Sequence, residues 1–311
     1  MNIYIFCQYQ NYFSKDQINR LKKTANLIFV KKVQPISKNK ELINDYNEKI
    51  IAIDPNSCFW KISNHEIDRI SNIKAIVLNT TAYDFFDINY CRQKNIIVTN
   101  NRNFASEAVA EWLLMMSLMI ARKIPVVYQG GWKIDYQRHL GMELYGKTAG
   151  IIGLGNIGKR LAAICQALGM KVIYWSPNSR DRKYRRVGLP KLIKTADFIY
   201  TCLIKNLETT KLINNSLFLS MKKNACLIGA FPQCLLLNNQ TVFKQVNTGK
   251  IFGTGFEYEK DAEQFYNKVR GNILITPALA WYTRETALRN AEKWINNIIN
   301  ATKNLYPNRI N

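Results

Sequence analysis

The sequence predicts an α/β protein in which a doubly wound parallel sheet is joined to a second, smaller α/β domain. Strand-like apolar runs alternate with amphipathic helical runs along the 311 residues, which is typical of parallel sheets covered by helices. A glycine-rich turn also lies between a predicted strand and a predicted helix in the second half of the chain. Because single domains usually hold roughly 100–200 residues, we expect two domains.

The first hundred residues predict the smaller domain. Their apolar runs are short enough to be strands, and polar segments with helical periodicity separate them, such as Lys15–Thr24 and His65–Ser71. We expect these strands to form one sheet with helices between them. The predicted strands are Ile3–Cys7, Ile28–Val30, Ile50–Ile53, Ala75–Leu78 and Ile96–Val98.

A longer helix is predicted between the two domains' main strands. It runs from about Ala105 to Ala121, with one apolar face and with Asn103 or Ser106 as the candidate N-cap. The following Pro125 and a Gly-Gly pair are expected to break this helix.

The second half of the chain predicts the doubly wound sheet. From Thr148 onward, strand, turn and helix repeat several times, and a final helix is expected from Arg284 to about Ala301. The predicted strands are Thr148–Ile152, Val172–Trp175, Phe198–Leu203, Ala225–Ile228, Phe252–Phe256 and Ile273–Thr276.

Cysteine usage and the apolar segments indicate the compartment. The seven cysteines are an odd number without a C-x-x-C pair, which favours reduced thiols over a disulfide framework or a zinc site. The segment Met1–Phe6 lacks the basic and long apolar regions of a signal peptide. The longest apolar stretch, Trp112–Ile124, contains charges and is shorter than the about 20 residues of a membrane span. We therefore expect a cytosolic protein without a bound metal.

The chain carries a formal net charge of +22 and has a pI near 9.7, a balance that can indicate binding to nucleic acid. Its lysines, however, are spread along the whole sequence. Only residues 180–186 form a basic cluster, and a solvated surface is the simpler interpretation of that cluster. The pattern therefore argues against a nucleic-acid partner.

The glycine-rich turn has the context of a dinucleotide-binding site. The motif G-x-G-x-x-G follows the predicted strand Thr148–Ile152 and opens a predicted helix. Its first glycine permits the tight turn, its second lets backbone N–H groups approach a pyrophosphate, and its third lets the helix pack closely on the strand. We expect the cofactor to contact Gly153, Leu154, Gly155, Asn156, Ile157 and Gly158.

The sequence leaves the choice between NAD and NADP open and favours NADP slightly. Ser176 occupies the place after the second strand where an acidic residue would bind the ribose of NAD. Ser176 and Asn178 can donate hydrogen bonds to a 2′-phosphate, and Arg180 with Arg182 or Lys183 can neutralise it. A solvent-facing loop whose charges have no role is the alternative.

Several motifs outside the glycine turn also have a recognisable order and spacing. They are Val98–Asn100, Ala108–Trp112, Gly131-Trp132, Glu143–Thr148, Tyr83–Asp87, Ala196-Asp197, Met221-Lys222 and Pro277–Glu285. Together they resemble the D-2-hydroxyacid dehydrogenases, and the last motif is closest to the glycerate dehydrogenase branch.

The resemblance covers nearly the whole chain and implies an architecture. Residues 1–98 with 286–311 would form a flavodoxin-like substrate domain, and residues 99–285 a Rossmann cofactor domain in a homodimer. It also implies cofactor contacts at Cys202, Leu203, Thr209, Gly229, Ala230, Phe231 and Glu257, the last in place of the family's aspartate near the nicotinamide.

The same resemblance fails at the catalytic positions. Family members bind the substrate carboxylate with an arginine and protonate the carbonyl oxygen with a histidine that a glutamate holds. An ungapped alignment places Pro232 at the arginine and Ala278 at the histidine. The glutamate position falls on Ala262, with Glu263 adjacent if the loop differs by one residue. A positioned general acid contributes roughly 10²–10⁴ in rate, so the family's usual reaction is expected to be altered.

Few side chains could compensate for these replacements. His65 is expected to face solvent, whereas His139 could reach a cleft, including that of a partner subunit. Tyr282 could donate a proton, although aromatic packing beside Trp281 is the simpler role. Cys234 has no base near it in the sequence, which favours an inert thiol. Tyr282 and His139 are therefore the candidate catalytic residues.

Two functions stay open from the sequence. The first is an oxidoreductase that transfers hydride to a small carbonyl or, more readily without a strong acid, to a preformed iminium. The second is a catalytically silent pseudoenzyme in which bound dinucleotide sets a state that another protein reads. A third and weaker possibility, nucleic-acid binding, would require the basic side chains to gather on one face.

Overall fold

The computed structural model describes residues 1–8, 12–203, 209, 212–230, 239–258 and 269–311. The chain divides into two compact units, one of Met1–Phe104 with Arg284–Asn311 and one of Ala105–Thr283. We call them unit 1 and unit 2. The roles expected for the ranges 1–98 with 286–311 and 99–285, as substrate and cofactor domains, stay predictions.

Unit 1 contains a five-stranded parallel sheet in the order β2-β1-β3-β4-β5. This is the flavodoxin-like order, so the predicted architecture is confirmed. The strands are β1 (Asn2–Phe6), β2 (Asn26–Val30), β3 (Lys49–Ile53), β4 (Ile73–Leu78) and β5 (Ile97–Thr99). The helices are α1 (Lys15–Lys22), α2 (Lys40–Asn44), α3 (Asn64–Asp68), α4 (Ile88–Gln93) and the C-terminal α11 (Arg284–Thr302), with 3₁₀ turns at Ile36–Lys38 and Pro55–Cys58.

Apolar side chains cover both faces of the unit 1 sheet. Every residue of β3 is buried, as expected for a central parallel strand with helices on both sides. On one face, α11 contributes Trp294, which is fully buried among residues of β1, β3 and β4. Its indole N–H donates to the carbonyl oxygen of Val77 at 3.0 Å. The C-terminal helix is therefore an integral part of this unit.

Unit 2 contains a seven-stranded parallel sheet in the order β12-β11-β10-β9-β6-β7-β8. The strands are β6 (Thr148–Ile152), β7 (Lys171–Trp175), β8 (Arg185–Arg186), β9 (Phe198–Thr201), β10 (Cys226–Gly229), β11 (Gly253–Tyr258) and β12 (Ile273–Pro277). The helices are α5 (Ser106–Ala121), α6 (Ile124–Gln129), α7 (Asn156–Ala167), α8 (Leu189–Thr195), α9 (Asn215–Leu219) and α10 (Asn239–Asn247).

The strand order of unit 2 reverses at β6. The chain passes from β6 to β7 and β8 on one side, and then returns to β9 and β10 on the other. Ligands of such sheets bind beyond the carboxyl ends of the strands at this reversal. The predicted doubly wound sheet is confirmed, and the glycine turn lies at its switch point.

The start of α5 differs from the expectation. Asn103 has a left-handed backbone with φ of 60°, and Ser106 is already the first helical residue. The N-cap is Ala105, which makes no side-chain capping bond. Glu107 in the first turn instead forms an ion pair with Arg160 of α7, at 2.5 Å. Both capping predictions are therefore wrong.

The role expected for Pro125 is wrong as well. The helix α5 ends at Ala121, and Lys123 takes a left-handed conformation with φ of 53°. Pro125 lies in the first turn of α6, where its missing N–H costs no hydrogen bond. The proline therefore begins a second helix after the first has ended.

Within the described ranges, no helix is long and apolar enough to cross a membrane. The same ranges bring together no group of three or more His, Cys, Asp or Glu side chains that could hold a metal ion.

Candidate functional site

The turn after β6 requires glycine at its first position. Gly153 has φ of +97°, a left-handed conformation that disfavours other residues. Its N–H donates to the carbonyl oxygen of Trp175 at 2.8 Å, which ties the turn to β7. A Cβ atom on Gly153 would lie 2.7 Å from the carbonyl oxygen of Cys202, beyond β9. The chain thus folds back at the switch point with no room for a side chain.

The other two glycines shape the start of α7. A Cβ atom on Gly158 would overlap the carbonyl oxygen of Gly153, so the helix can approach the turn only with glycine there. At Gly155, the N-cap residue, no heavy atom lies within 4 Å of the position of an added Cβ. Open space therefore borders the N-terminus of a twelve-residue helix, where N–H groups and the helix dipole favour an anion. This arrangement fits the pyrophosphate of a dinucleotide.

The apolar residues of the turn face inward. The side chain of Leu154 is buried in the core of unit 2, and Ile157 is partly buried against the same core. Leu154 can therefore contact a cofactor only through its backbone groups, whereas part of the Ile157 side chain is still exposed. Asn156 begins α7 between them.

The loop after β7 contains the residues that are expected to bind the ribose of the cofactor. Ser176 is buried, and its hydroxyl accepts the N–H of Ser179 at 3.2 Å. Its carbonyl oxygen accepts a hydrogen bond from the guanidinium of Arg186, also at 3.2 Å. Arg180 folds over the same loop and donates to the carbonyl oxygens of Pro177 and Ser179. Asn178 is exposed at the tip of the loop.

The basic residues of this region differ in their surroundings. Arg182 and Lys183 are exposed, and the ammonium group of Lys183 lies over the ring of Tyr184. Lys159 of α7 pairs with Asp181 at 3.1 Å. Arg186, which the sequence prediction omitted, contacts the loop that contains Ser176. In the sequence, Arg186 could be recognised only as the last residue of the basic cluster 180–186.

The ends of β9 and β10 lie on the other side of the turn. Cys202 and Leu203 follow β9, while Gly229 and Ala230 are buried at the end of β10. Burial raises the pKa of the Cys202 thiol to about 12, so this group is neutral and inert at physiological pH. Thr209 lies in a turn, and its carbonyl oxygen accepts the N–H of Leu212 at 3.3 Å.

A buried carboxylate holds the segment after β12. Glu257 of β11 lies beside Thr276 of β12 in the sheet register. Its Oε1 atom accepts the backbone N–H groups of Leu279 and Ala280, at 2.7 and 2.5 Å. Hydrogen bonds to a buried carboxylate are strong. Glu257 in β11 therefore fixes the backbone path of residues 278–280.

The position expected to hold a general acid lies in this segment. Ala278 follows the last residue of β12 and is exposed. Trp281 packs against the core of unit 2 and meets the ring of Tyr282 edge to face, with centroids 5.1 Å apart. Tyr282 is 64% exposed. The edge therefore presents an alanine methyl group and, four residues on, an exposed phenol.

The two histidines have local surroundings of their own. His65 is exposed in the last turn of α3 in unit 1, as expected. In unit 2, the Nδ1 atom of His139 accepts the backbone N–H of Asp135 at 3.2 Å. None of the described hydrogen bonds joins His65 or His139 to Ala278 or Tyr282. Five predicted or discussed residues, Phe231, Pro232, Cys234, Ala262 and Glu263, lie outside the described residues.

Comparison with known proteins gives three consistent results. Residues 113–280 match the family model of the D-isomer specific 2-hydroxyacid dehydrogenase NAD-binding domain. The chain is 32% identical over 234 residues to a Staphylococcus aureus protein named for 2-hydroxyacid dehydrogenase, covering 70% of this chain and 73% of that one. The chain is also 29% identical over 257 residues to D-3-phosphoglycerate dehydrogenase of Archaeoglobus fulgidus. That match covers 79% of this chain but only 48% of the length of the relative.

Among solved structures, the fold is similar to that of the acyclic imino acid reductase Bsp5 in complex with NADPH and D-Arg. The TM-score is 0.83 with 26% sequence identity, and the match covers 100% of both chains.

Proposed function

Since the chain belongs to the D-isomer-specific 2-hydroxyacid dehydrogenase family, whose members are nicotinamide-dependent oxidoreductases, we propose that it reduces the C=N bond of a small imine with NADPH. A small carbonyl compound is the alternative substrate. The observation that carries this proposal is the alanine at position 278, at the exposed end of β12.

A side chain of alanine can neither give nor take a proton. When hydride adds to the carbon of a carbonyl group, the C=O π electrons move to oxygen and leave an alkoxide, which needs a proton donor. A positioned donor contributes roughly 10²–10⁴ in rate. An iminium already carries its proton on nitrogen. When hydride adds to its carbon, the C=N π electrons move to nitrogen and leave a neutral amine, so charge and protons balance without an acid. The residue at 278 thus suits an imine better than a keto acid.

The similar solved structure supports this choice of substrate class. That protein is an acyclic imino acid reductase in complex with NADPH and D-Arg, and its match extends over the whole of both chains at 26% identity. The alignment places Pro232 where the family has its carboxylate-binding arginine. The carboxylate of a substrate would therefore need other hydrogen-bond donors in this protein. We propose a small imino acid as the substrate.

The choice of NADPH over NADH rests on the loop after β7. Ser176 lacks the negative charge that would repel a 2′-phosphate, and the guanidinium groups of Arg180 and Arg186 hydrogen-bond to carbonyl oxygens of this loop. Bound NADPH would supply the hydride. The chain itself would bind the pyrophosphate at the open N-terminus of α7 and the 2′-phosphate at this basic loop.

Glu257 and Tyr282 have different proposed parts in the reaction. Glu257 keeps residues 278–280 in one path through its bonds to Leu279 and Ala280, and can face the nicotinamide amide as the family resemblance implies. Tyr282 is the candidate donor if a carbonyl compound is reduced. His139 stays a candidate only if a second subunit brings it to the site.

A homodimer is part of the proposal, supported by the segment 128–145. It exposes six large apolar side chains by 61–85%: Tyr128, Trp132, Ile134, Tyr136, Leu140 and Tyr145. Exposed aromatic and aliphatic side chains concentrated in one segment are typical of a surface that binds another protein. Sedimentation of the full chain tests this, and a Tyr136→Lys/Leu140→Lys double variant is expected to be monomeric.

The proposed reaction is tested by following NADPH oxidation with matched substrates. A cyclic imino acid, and keto acids mixed with excess ammonia, provide the C=N bond, whereas hydroxypyruvate and glyoxylate alone provide the C=O bond. We expect turnover with the imines and at least about 10² lower kcat/KM with the keto acids. Comparable turnover of hydroxypyruvate alone would contradict the proposal.

Binding of NADPH is measured in the same preparation by fluorescence. If NADPH binds but neither class of substrate oxidises it, the catalytically silent alternative replaces the reductase. If no nicotinamide cofactor binds, both functions fail together.

A further inference from the structure

An ion pair joins the first turns of α7 to the loop that follows β7. Lys159 is the fourth residue of α7, and its N–H donates to the carbonyl oxygen of the N-cap residue Gly155 at 2.8 Å. Its Nζ atom lies 3.1 Å from Oδ2 of Asp181 in the loop. In a dinucleotide-binding fold, the pyrophosphate lies at the N-terminus of this helix, and the ribose lies at the residue that ends the second strand, here Ser176. The ion pair therefore connects the two elements that are expected to hold the ribose.

The core of unit 2 fixes the position of Asp181. The hydroxyl of Tyr174, a fully buried side chain of β7, donates to the carbonyl oxygen of Asp181 at 2.8 Å. The Oδ1 atom of Asp181 accepts the backbone N–H of Lys183 at 2.9 Å. This hydrogen bond, and then the ammonium group of Lys159, lower the pKa of the Asp181 carboxyl. The loop therefore presents a fixed carboxylate to Lys159 at neutral pH.

This carboxylate stands alone in a basic loop. Asp181 is the single acidic residue among residues 176–186, which contain five arginines and lysines. The 2′-phosphate proposed to bind in this loop would meet Asp181 as a like charge. A phosphate monoester carries about −1.5 to −2 charges at pH 7, which is more than one carboxylate. A cation that turned from Asp181 to the phosphate would therefore gain electrostatic attraction.

Lys159 is suited to such an exchange of partners. Its side chain is 51% exposed, and the four-carbon stem of a lysine is flexible. Two other ion pairs described in unit 2 are shorter, namely Glu107–Arg160 at 2.5 Å and Asp197–Lys222 at 2.6 Å. Exposed ion pairs are weak, because water screens their charges. Little attraction is therefore lost when the ammonium group of Lys159 changes its partner.

We propose that Lys159 is a specificity-determining residue for NADPH, which pairs with Asp181 in the free protein and with the 2′-phosphate in the complex. Asp181 holds the ammonium group beside the loop until the phosphate takes the place of the carboxylate as its partner. This inference rests on the proposed use of NADPH. It adds a third cation, from α7, to Arg180 and Arg186 of the loop.

A permanent ion pair would behave differently. If the pair only tied the loop to α7, loss of either partner would loosen the ribose site and weaken the binding of both nicotinamide cofactors. In the proposed exchange, the two partners act in opposite directions. Lys159 attracts the phosphate, whereas Asp181 competes for the lysine and repels the phosphate. The signs of two single substitutions therefore distinguish the two roles.

The test uses two pairs of ligands that differ only in the 2′-phosphate, NADPH with NADH and 2′,5′-ADP with 5′-AMP. Calorimetric titration of the full chain measures each affinity. Lys159→Gln is expected to weaken the binding of NADPH and 2′,5′-ADP by about tenfold, and Asp181→Asn to strengthen it by about threefold. The amide oxygen introduced by Asp181→Asn can still accept the N–H of Lys183, so the loop keeps its turn. Binding of NADH and 5′-AMP is expected to change by less than about twofold.

Lys222→Gln is the matched control. Lys222 and Asp197 are 48% and 18% exposed, against 51% and 20% for Lys159 and Asp181. Asp197 directly precedes β9, so this pair lies at the amino-terminal edge of the sheet, opposite the glycine turn. The control is expected to leave all four affinities unchanged.

Three outcomes would contradict the inference. Weaker NADPH binding in Asp181→Asn, or equal losses for NADH and NADPH in Lys159→Gln, would overturn the exchange of partners while the proposed cofactor stands. A parent chain that binds NADH at least as tightly as NADPH would overturn the proposed cofactor and the exchange together.

Discussion

The Oε1 atom of Glu257 accepts the backbone N–H of Ala280 at 2.5 Å. The same oxygen accepts the N–H of Leu279 at 2.7 Å, so one buried carboxylate orders the chain immediately after Ala278. The residue that is expected to replace the family's acid is therefore held in a defined position, although it has no proton to give.

Removing this carboxylate is predicted to destabilise unit 2. Each hydrogen bond to a charged group contributes about 1.5–3 kcal/mol, so we expect Glu257→Ala to lower the free energy of unfolding by about 3 kcal/mol and Glu257→Gln by less. Denaturant unfolding measures this. Glu143→Gln, at an exposed position of the same unit, is the control, and an unchanged midpoint in Glu257→Ala would contradict the role assigned to the carboxylate.

The preference for NADPH is predicted to depend on Ser176 and Arg186. Ser176→Asp places a negative charge where the 2′-phosphate is proposed to lie, and Arg186→Gln removes a positive charge from that loop. Each is expected to weaken NADPH binding by about tenfold or more and to spare NADH. Fluorescence titration with both cofactors measures the ratio. Arg185→Gln is the neighbouring control, and equal losses for NADH and NADPH would argue against a 2′-phosphate site.

Tyr282→Phe separates reduction of an imine from reduction of a carbonyl compound. The variant removes only the hydroxyl, and the exposed ring can keep its contact with Trp281. An iminium needs no donor, so its kcat/KM is expected to change less than about twofold, whereas carbonyl reduction assisted by Tyr282 would fall by about 10² or more. Steady-state kinetics with both substrate classes decides. A large loss with the imine would make Tyr282 a catalytic residue of the proposed reaction.

The acid stability of unit 1 is predicted to depend on Asp45. Burial alone would raise the pKa of this carboxyl, but hydrogen bonds from Asn2, Asn47 and Tyr4 outweigh burial and lower the pKa to about 2. The carboxylate therefore stabilises the fold above about pH 4, and this contribution is lost as the pH falls from about 4 to 2.

Its size can be measured with Asp45→Asn. At about 1.4 kcal/mol per pKa unit, the variant is expected to be about 2 kcal/mol less stable at neutral pH and to converge with the parent chain near pH 2. Asp16→Asn, on the exposed side of α1, is the control. A difference between Asp45→Asn and the parent chain that stays constant across this range would contradict the assignment.

The fold was accessible from the sequence because its signals are local. The buried strand β3 is a continuous apolar run after Lys49. Gly153 and Gly158 of the turn after β6 are required by close backbone contacts where the helix starts against the strand. Both predicted architectures therefore appear, the doubly wound sheet in unit 2 and the flavodoxin-like sheet in unit 1.

Features that depend on tertiary contacts were missed. Arg186 lies in β8, a two-residue edge strand without an apolar pattern, and its bond to Ser176 exists only once β7 and β8 pair. The start of α5 is fixed in part by the ion pair of Glu107 with Arg160, not by a local cap. Pro125 was ambiguous because proline both stops one helix and starts another.

The contribution of α11 to unit 1 bears on how the chain folds during synthesis. The strands of unit 1 are complete by Thr99, but Trp294 and its helix, which cover one face of that sheet, are made only after all of unit 2. On the ribosome, unit 2 can therefore finish its core while the apolar face of unit 1 still lacks its cover. Since exposed apolar sheet surface promotes aggregation, this interval is the stage at which a nascent chain would most need a chaperone.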